Sequence, residues 1–222
     1  MHNRALKKTV RNLLNGRNLE EALDQLCQMK LRRVINPLVS FFYSGDEALR
    51  WHSITAAGAV ISKMADQNIE DSRIIMRRLM WNLNDESGGI GWGSPEAMGE
   101  AMARSAKLAE EYTAILVSYL NPQGNFLEHP VLQRGVLWGI ARLANSRAHM
   151  AAEAAPFLGA FMESGDPIHR GLAAWCARTL SSVAEVTIPA HIFKDNTVIR
   201  LYTGEAFREL PVYQLATGAG TG

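Results

Sequence analysis

A Ser-Gly-Asp turn followed four residues later by an arginine occurs twice in this chain, and the residues beyond it keep the same register. Residues 44–65 read SGDEALRWHSITAAGAVISKMA and residues 164–184 read SGDPIHRGLAAWCARTLSSVA. Seven positions after each Arg stands a small residue, Ala57 or Ala177, and ten positions after it a large apolar one, Val60 or Leu180. A weaker third copy, RGVLWGIARLA, starts at Arg134 and puts Ala141 at the same seventh position. Self-similarity of this kind marks one supersecondary unit used repeatedly. Two helices joined by a tight turn cannot bury both apolar faces alone, and stacking successive pairs makes one continuous core. The arginines lie 84 and then 36 residues apart, so the longer interval holds a further helix pair at about 69–105.

Apolar residues recur at helical spacing to about residue 184. Helices are expected at about 4–15, 18–29, 34–43, 46–65, 71–83, 95–105, 107–120, 129–145, 149–163 and 166–183. Ser94-Pro95-Glu96 reads as a helix start, with Ser as N-cap and Pro at the first helical position. Residues 186–215 change character: Val198, Ile199, Leu201 and Tyr202, a glycine turn and Phe207 predict a short hairpin. Pro189 and Pro211 argue against more helix, and Ala216 to Gly222 reads as a disordered tail.

Pro37 or Pro156 in a first helix, the Gly-Asp turn, the Arg and the Ala-rich second helix together resemble HEAT repeats of the short bacterial type, over about residues 31–184. The resemblance implies an all-α fold: an α-solenoid of about four to five antiparallel helix pairs over 1–184, with 1–33 as basic capping helices and 185–222 as a C-terminal extended segment. In such repeats the matching arginines pair with turn aspartates along the stack, which implies a structural ladder of Asp46, Arg50, Arg134, Asp166 and Arg170. The whole chain, with its Gly-Gly-Ile-Gly-Trp-Gly insert and the stretch IRLYTGEAFRELPVYQLA, is also similar to HEAT-repeat proteins of sulfate-reducing bacteria, a likeness that implies no activity.

Composition limits the chemistry. Lys and Arg number 23 against 22 Asp and Glu, so the overall basic excess usual in a nucleic-acid binder is missing. The charge is uneven, because residues 1–33 carry eight basic and three acidic side chains. Cys27 and Cys176 are far apart in sequence, which fits two buried thiols better than a disulfide framework or zinc cluster. The first twenty residues lack the apolar core of a signal peptide, and no apolar run has membrane-spanning length, so a reducing cytoplasm is expected. The histidines (His2, His52, His129, His149, His169, His191) show no paired ligand spacing, and no nucleophile elbow is present. No catalytic residue, cofactor or metal is therefore assigned.

The sharpest local anomaly is Asn84 to Glu96, where four glycines fall within six residues around a tryptophan. So many glycines cost backbone entropy that a simple turn need not spend. The loop lacks the Lys and Ser/Thr of a Walker loop, and its acids disfavour an anion. Asp85, Glu86, Trp92 and Glu96 are the candidate partner-binding residues, an aromatic anchor with an acidic rim. Trp51, Trp81, Trp138 and Trp175 are expected in the core. The expected function is a non-catalytic protein-interaction scaffold. Two other HEAT-like families remain as alternatives, the alkylpurine DNA glycosylases and the bilin lyases. The first needs a basic concave groove, which the predicted second helices, poor in Lys and Arg, do not supply.

Overall fold

The structure, a computed structural model, describes residues 3–84, 91–204 and 206–218. It is 71% helical, far above the usual share for a globular protein. The helices are α1 (Asn3–Leu14), α2 (Leu19–Gln28), α3 (Leu31–Phe41), α4 (Glu47–Gln67), α5 (Ile69–Leu83), α6 (Ser94–Arg104), α7 (Ala106–Ser118), α8 (Pro130–Ala151), α9 (Ala155–Met162), α10 (Pro167–Leu180) and α11 (Val212–Thr217). One antiparallel hairpin, β1 (Val198–Tyr202) and β2 (Phe207–Pro211), lies between α10 and α11. The chain divides into two compact units, Met1–Leu108 and Ala109–Gly222.

In the first unit α2, α4 and α6 pack in one row, and each of α1, α3 and α5 packs on its successor. α1 turns Leu6, Val10 and Leu14 inward and α2 turns Ala22, Leu23 and Leu26 inward. α4 is buried continuously from Ser53 to Ser62, because neighbouring helices cover several of its faces. Its small residues set the spacing: a Cβ on Gly58 would sit 2.3 Å from Cβ of Glu100 on α6. The outer helices α3 and α5 are tied by a two-pronged ion pair between Arg32 and Asp71, and by Arg78 Nη1 donating to Asn36 Oδ1 at 2.6 Å. Pro37 lies buried in mid-α3, not near its start as the spacing predicts, since α3 begins at Leu31.

In the second unit α10 packs against both α8 and α9. The periodicity predicts a break between about 145 and 149, and within α8 the backbone leaves helical geometry there, at Arg147, with φ −149° and ψ 61°. The hairpin pairs Val198 with Pro211 through Tyr202 with Phe207. The segment after residue 184 is not merely extended. α11 packs against α10 and buries Val212, Leu215 and Ala216, so Ala216 is not part of a tail; residues 219–222 of the expected tail lie outside the described residues. Pro211 stops no helix here: with φ −67° and ψ 146° it stands just before the first turn, where its missing N–H costs nothing. On α10, a Cβ at Gly171 would meet Ile199 Cδ1 at 2.4 Å and Leu215 Cδ1 at 3.0 Å, so glycine lets this segment dock closely.

Candidate functional site

The two Ser-Gly-Asp turns are built alike. Ser44 Oγ and Ser164 Oγ each accept the N–H of the following Asp at 3.1 Å. Asp46 Oδ1 accepts from Leu49 N–H at 3.1 Å and Asp166 Oδ1 from Ile168 N–H at 2.9 Å, so both aspartates are N-caps. The N–H of Arg50 or Arg170 then closes the first turn onto the Asp carbonyl at 3.0 or 3.1 Å. Ala57, Ala141, Ala177, Val60 and Leu180 are all fully buried.

The ladder the resemblance implies forms at one step, where Arg134 meets the turn aspartate Asp166, while Arg50 and Arg170 find other partners. Arg134 Nε donates to Asp166 Oδ2 at 2.7 Å. Arg170 does not take an Asp of a Ser-Gly-Asp turn; its Nε donates to Asp195 Oδ2 at 2.8 Å and its Nη1 to the Ser164 carbonyl at 2.9 Å. Arg50 lies 3.7 Å from Glu47, one turn back on its own helix, while Asp46 is occupied as a cap. Asp195 escaped sequence reasoning because no Ser-Gly precedes it; its one signal is Thr197, whose N–H it caps at 3.0 Å as Asp166 caps Ile168. Burial raises the pKa of the Asp166 and Asp195 carboxyls, but the arginine and backbone hydrogen bonds outweigh it and hold both below the ordinary carboxylate value.

Of the four loop candidates, Asp85 and Glu86 lie outside the described residues. Trp92 is 37% exposed, at the entrance of α6. The turn that presents it is tightly held. Gly93 has φ 77°, and a Cβ there would sit 2.8 Å from the ring of Phe42, so only glycine fits both the backbone and the space. The N-cap of α6 is therefore Gly93, not Ser94 as the sequence pattern suggests. Ser94 is drawn inside the helix, with its Oγ buried and lacking a hydrogen-bond partner among the described residues.

Glu96 follows within the first turn. Its side chain is half-buried, yet its Oε2 is enclosed and has no partner among the described residues. Burial pushes its carboxyl up to about 7; a backbone hydrogen bond and the positive field of Arg50 oppose this only in part. One turn on, Glu100 is also buried but is met by Arg104 Nε at 3.2 Å. Glu100 thus has an arginine partner that the enclosed Oε2 of Glu96 lacks.

The remaining candidates resolve individually. Trp138 is buried and its indole N–H donates to the Tyr202 carbonyl at 2.7 Å, and Trp175 is buried as well. Trp81 is not in the core: it is 74% exposed. The inward stripe of α5 is Ser72, Ile75, Met76, Leu79 and Leu83, and Trp81, two residues past Leu79, falls on the far side of a helix with 3.6 residues per turn. Cys176 is buried with its Sγ against the Leu137 carbonyl at 3.2 Å, and Cys27 is half-buried. Among the described residues no three His, Cys, Asp or Glu side chains gather as a metal site, and no helix is long and apolar enough to cross a membrane. Neither the protein-family models nor the curated proteins give a match to this chain.

Proposed function

We propose that the protein is a non-catalytic interaction scaffold, a solenoid of HEAT-like helix pairs that holds a partner protein at the entrance of α6. The observation that carries this reading is the Gly91–Glu96 turn. There a tryptophan is held partly in solvent by a glycine locked against Phe42, next to a buried carboxyl oxygen without a partner. Both features cost stability, through water against an indole and through an unpaired polar atom in the interior. A sequence tends to break local rules of this kind at functional sites. The repeated Ser-Gly-Asp turns, which share the Ser Oγ bond to the Asp N–H and an Asp N-cap, support the repeat-scaffold part of the reading.

The test is replacement of Trp92 by Ala, with the helical spectrum and the affinity for a co-isolated partner measured together. Binding weakened by more than about 1 kcal/mol with the spectrum intact is the expected result. A variant that folds and binds as before would overturn the role of Trp92, and one that unfolds would make Trp92 a packing residue.

A further inference from the structure

The first unit separates its charges by row. The outer helices α1, α3 and α5 carry nine Lys and Arg against two acids, whereas α2, α4 and α6 carry three against seven. The two outer acids, Glu70 and Asp71, are each already engaged by an arginine, Arg73 and Arg32. Lys7, Arg32, Arg33 and Asn36 line a groove between α1 and α3. On α5 the exposed residues Ile74, Arg77, Arg78 and Trp81 follow one another at helical spacing, so two large apolar side chains about 10 Å apart flank two guanidinium groups.

We propose that this outer face docks an acidic, amphipathic protein segment: carboxylates onto the arginines, and two apolar side chains onto Ile74 and Trp81. The proposal rests on the reading of the protein as an interaction scaffold but uses a surface separate from Trp92. Charge complementarity selects an anionic partner. Arginine in place of lysine on α3 and α5 selects planar carboxylates or phosphates, which a guanidinium grips with two parallel bonds. The face already shows this grip on a carboxylate, since Arg32 holds Asp71 through both Nε and Nη2. Ile74, 54% exposed at one end of the stripe, favours a peptide over a phosphate backbone, which offers it no apolar surface.

The experiment uses the full chain and a fluorescein-labelled helical peptide, glutamate-rich with two leucines seven residues apart, followed by anisotropy. Controls are the same peptide with Lys for Glu, the same peptide with Ala for Leu, a single-stranded oligo-dT, and phosphatidylserine-containing vesicles. The expected result is salt-sensitive binding of the acidic peptide alone, weakened roughly tenfold or more by Trp81→Ala and by Arg77→Glu. Both side chains are exposed, so the helical spectrum should be unchanged; Lys7→Glu, on a different helix, gives an independent check. Equal binding of oligo-dT or vesicles would make the face a general phosphate surface and overturn the proposal, as would absence of peptide binding. Peptide binding that survives Trp92→Ala supports this face whatever becomes of the Trp92 site. Loss of the Trp92 effect with peptide binding intact would defeat only the earlier reading.

Discussion

Arg170 and Asp195 form an ion pair, Nε to Oδ2 at 2.8 Å, that repeats the Arg134–Asp166 contact one step along the chain. Asp195 precedes no helix pair. It opens the segment that leads into the hairpin, and it caps Thr197 as Asp166 caps Ile168. The C-terminal segment thus gives the last arginine the acid that a following Ser-Gly-Asp turn would supply. Trp138 bound to the Tyr202 carbonyl and α11 packed on α10 hold this segment against its unit.

Arg170→Ala and Asp195→Ala should each lower stability to urea by about 1–3 kcal/mol, the cost of leaving a half-buried polar partner unsatisfied. The double variant should lose less than the sum of the two. Additive losses in that double-mutant cycle would show that the two groups are not coupled. Because Asp166 and Asp195 titrate below their unfolded value, near 3.9, their contribution is complete above that pH and falls away as the pH drops through the folded pKa. The wild-type stability curve should therefore decline more steeply than that of Asp195→Ala below about pH 4.

Glu96 should act with the opposite sign. Its folded carboxyl is raised to about 7, so the native state holds its proton after the unfolded chain, titrating near 4.3, has released it. Stability is then unaffected at low pH, falls as the pH rises from about 4 to about 7, and is level beyond. Glu96→Gln should stabilise the protein at pH 8 by on the order of 1 kcal/mol, discounted because the side chain is only half-buried, and should change little at pH 4. Equal effects at the two pH values would show that the carboxyl does not titrate abnormally.

Gly93→Ala should destabilise by at least about 1–2 kcal/mol, because it combines a left-handed backbone with a clash against the Phe42 ring. Gly159→Ala is the matched control. It lies within α9 with nothing within 4 Å of the added Cβ, so it should be neutral or stabilise by about 0.5–1 kcal/mol. Thermal melts of the two variants would decide; similar shifts would mean that the α6 entrance tolerates a side chain.

The two thiols should differ in reactivity. Burial raises the pKa of both, but Cys176 is completely enclosed whereas Cys27 is partly open and lies near the positive charges of Arg104 and Lys63. Iodoacetamide should label Cys27 slowly under native conditions and Cys176 only after unfolding. Mass spectrometry showing Cys176 modified first would contradict the packing of α10 on α8.

Much of the fold was legible locally. Amphipathic spacing predicts the helices because a helix side shows in sequence as a 3.6-residue period, and the Ser-Gly-Asp motif predicts the turns because its hydrogen bonds lie within a few residues. The burial of Ala57, Ala141 and Ala177 likewise followed from their equivalent places in the repeat. What failed depended on contacts between distant segments. Whether Arg170 meets Asp166 or Asp195 depends on how the chain after α10 returns, and the need for glycine at 93 comes from Phe42, which follows α3 and lies against that turn. The position of Trp81 was readable from the period of α5, but its aromatic character argued the other way. The orphaned oxygen of Glu96 has no sequence signature, because Glu100, four residues away in the same helix, finds Arg104. The sequence by itself determined which segments become helices and where they turn, since backbone hydrogen bonding and side-chain periodicity are local. Tertiary structure alone decided which charges meet, which aromatics remain in water and which carboxyl is buried unpaired, since those depend on surfaces that distant parts of the chain bring together.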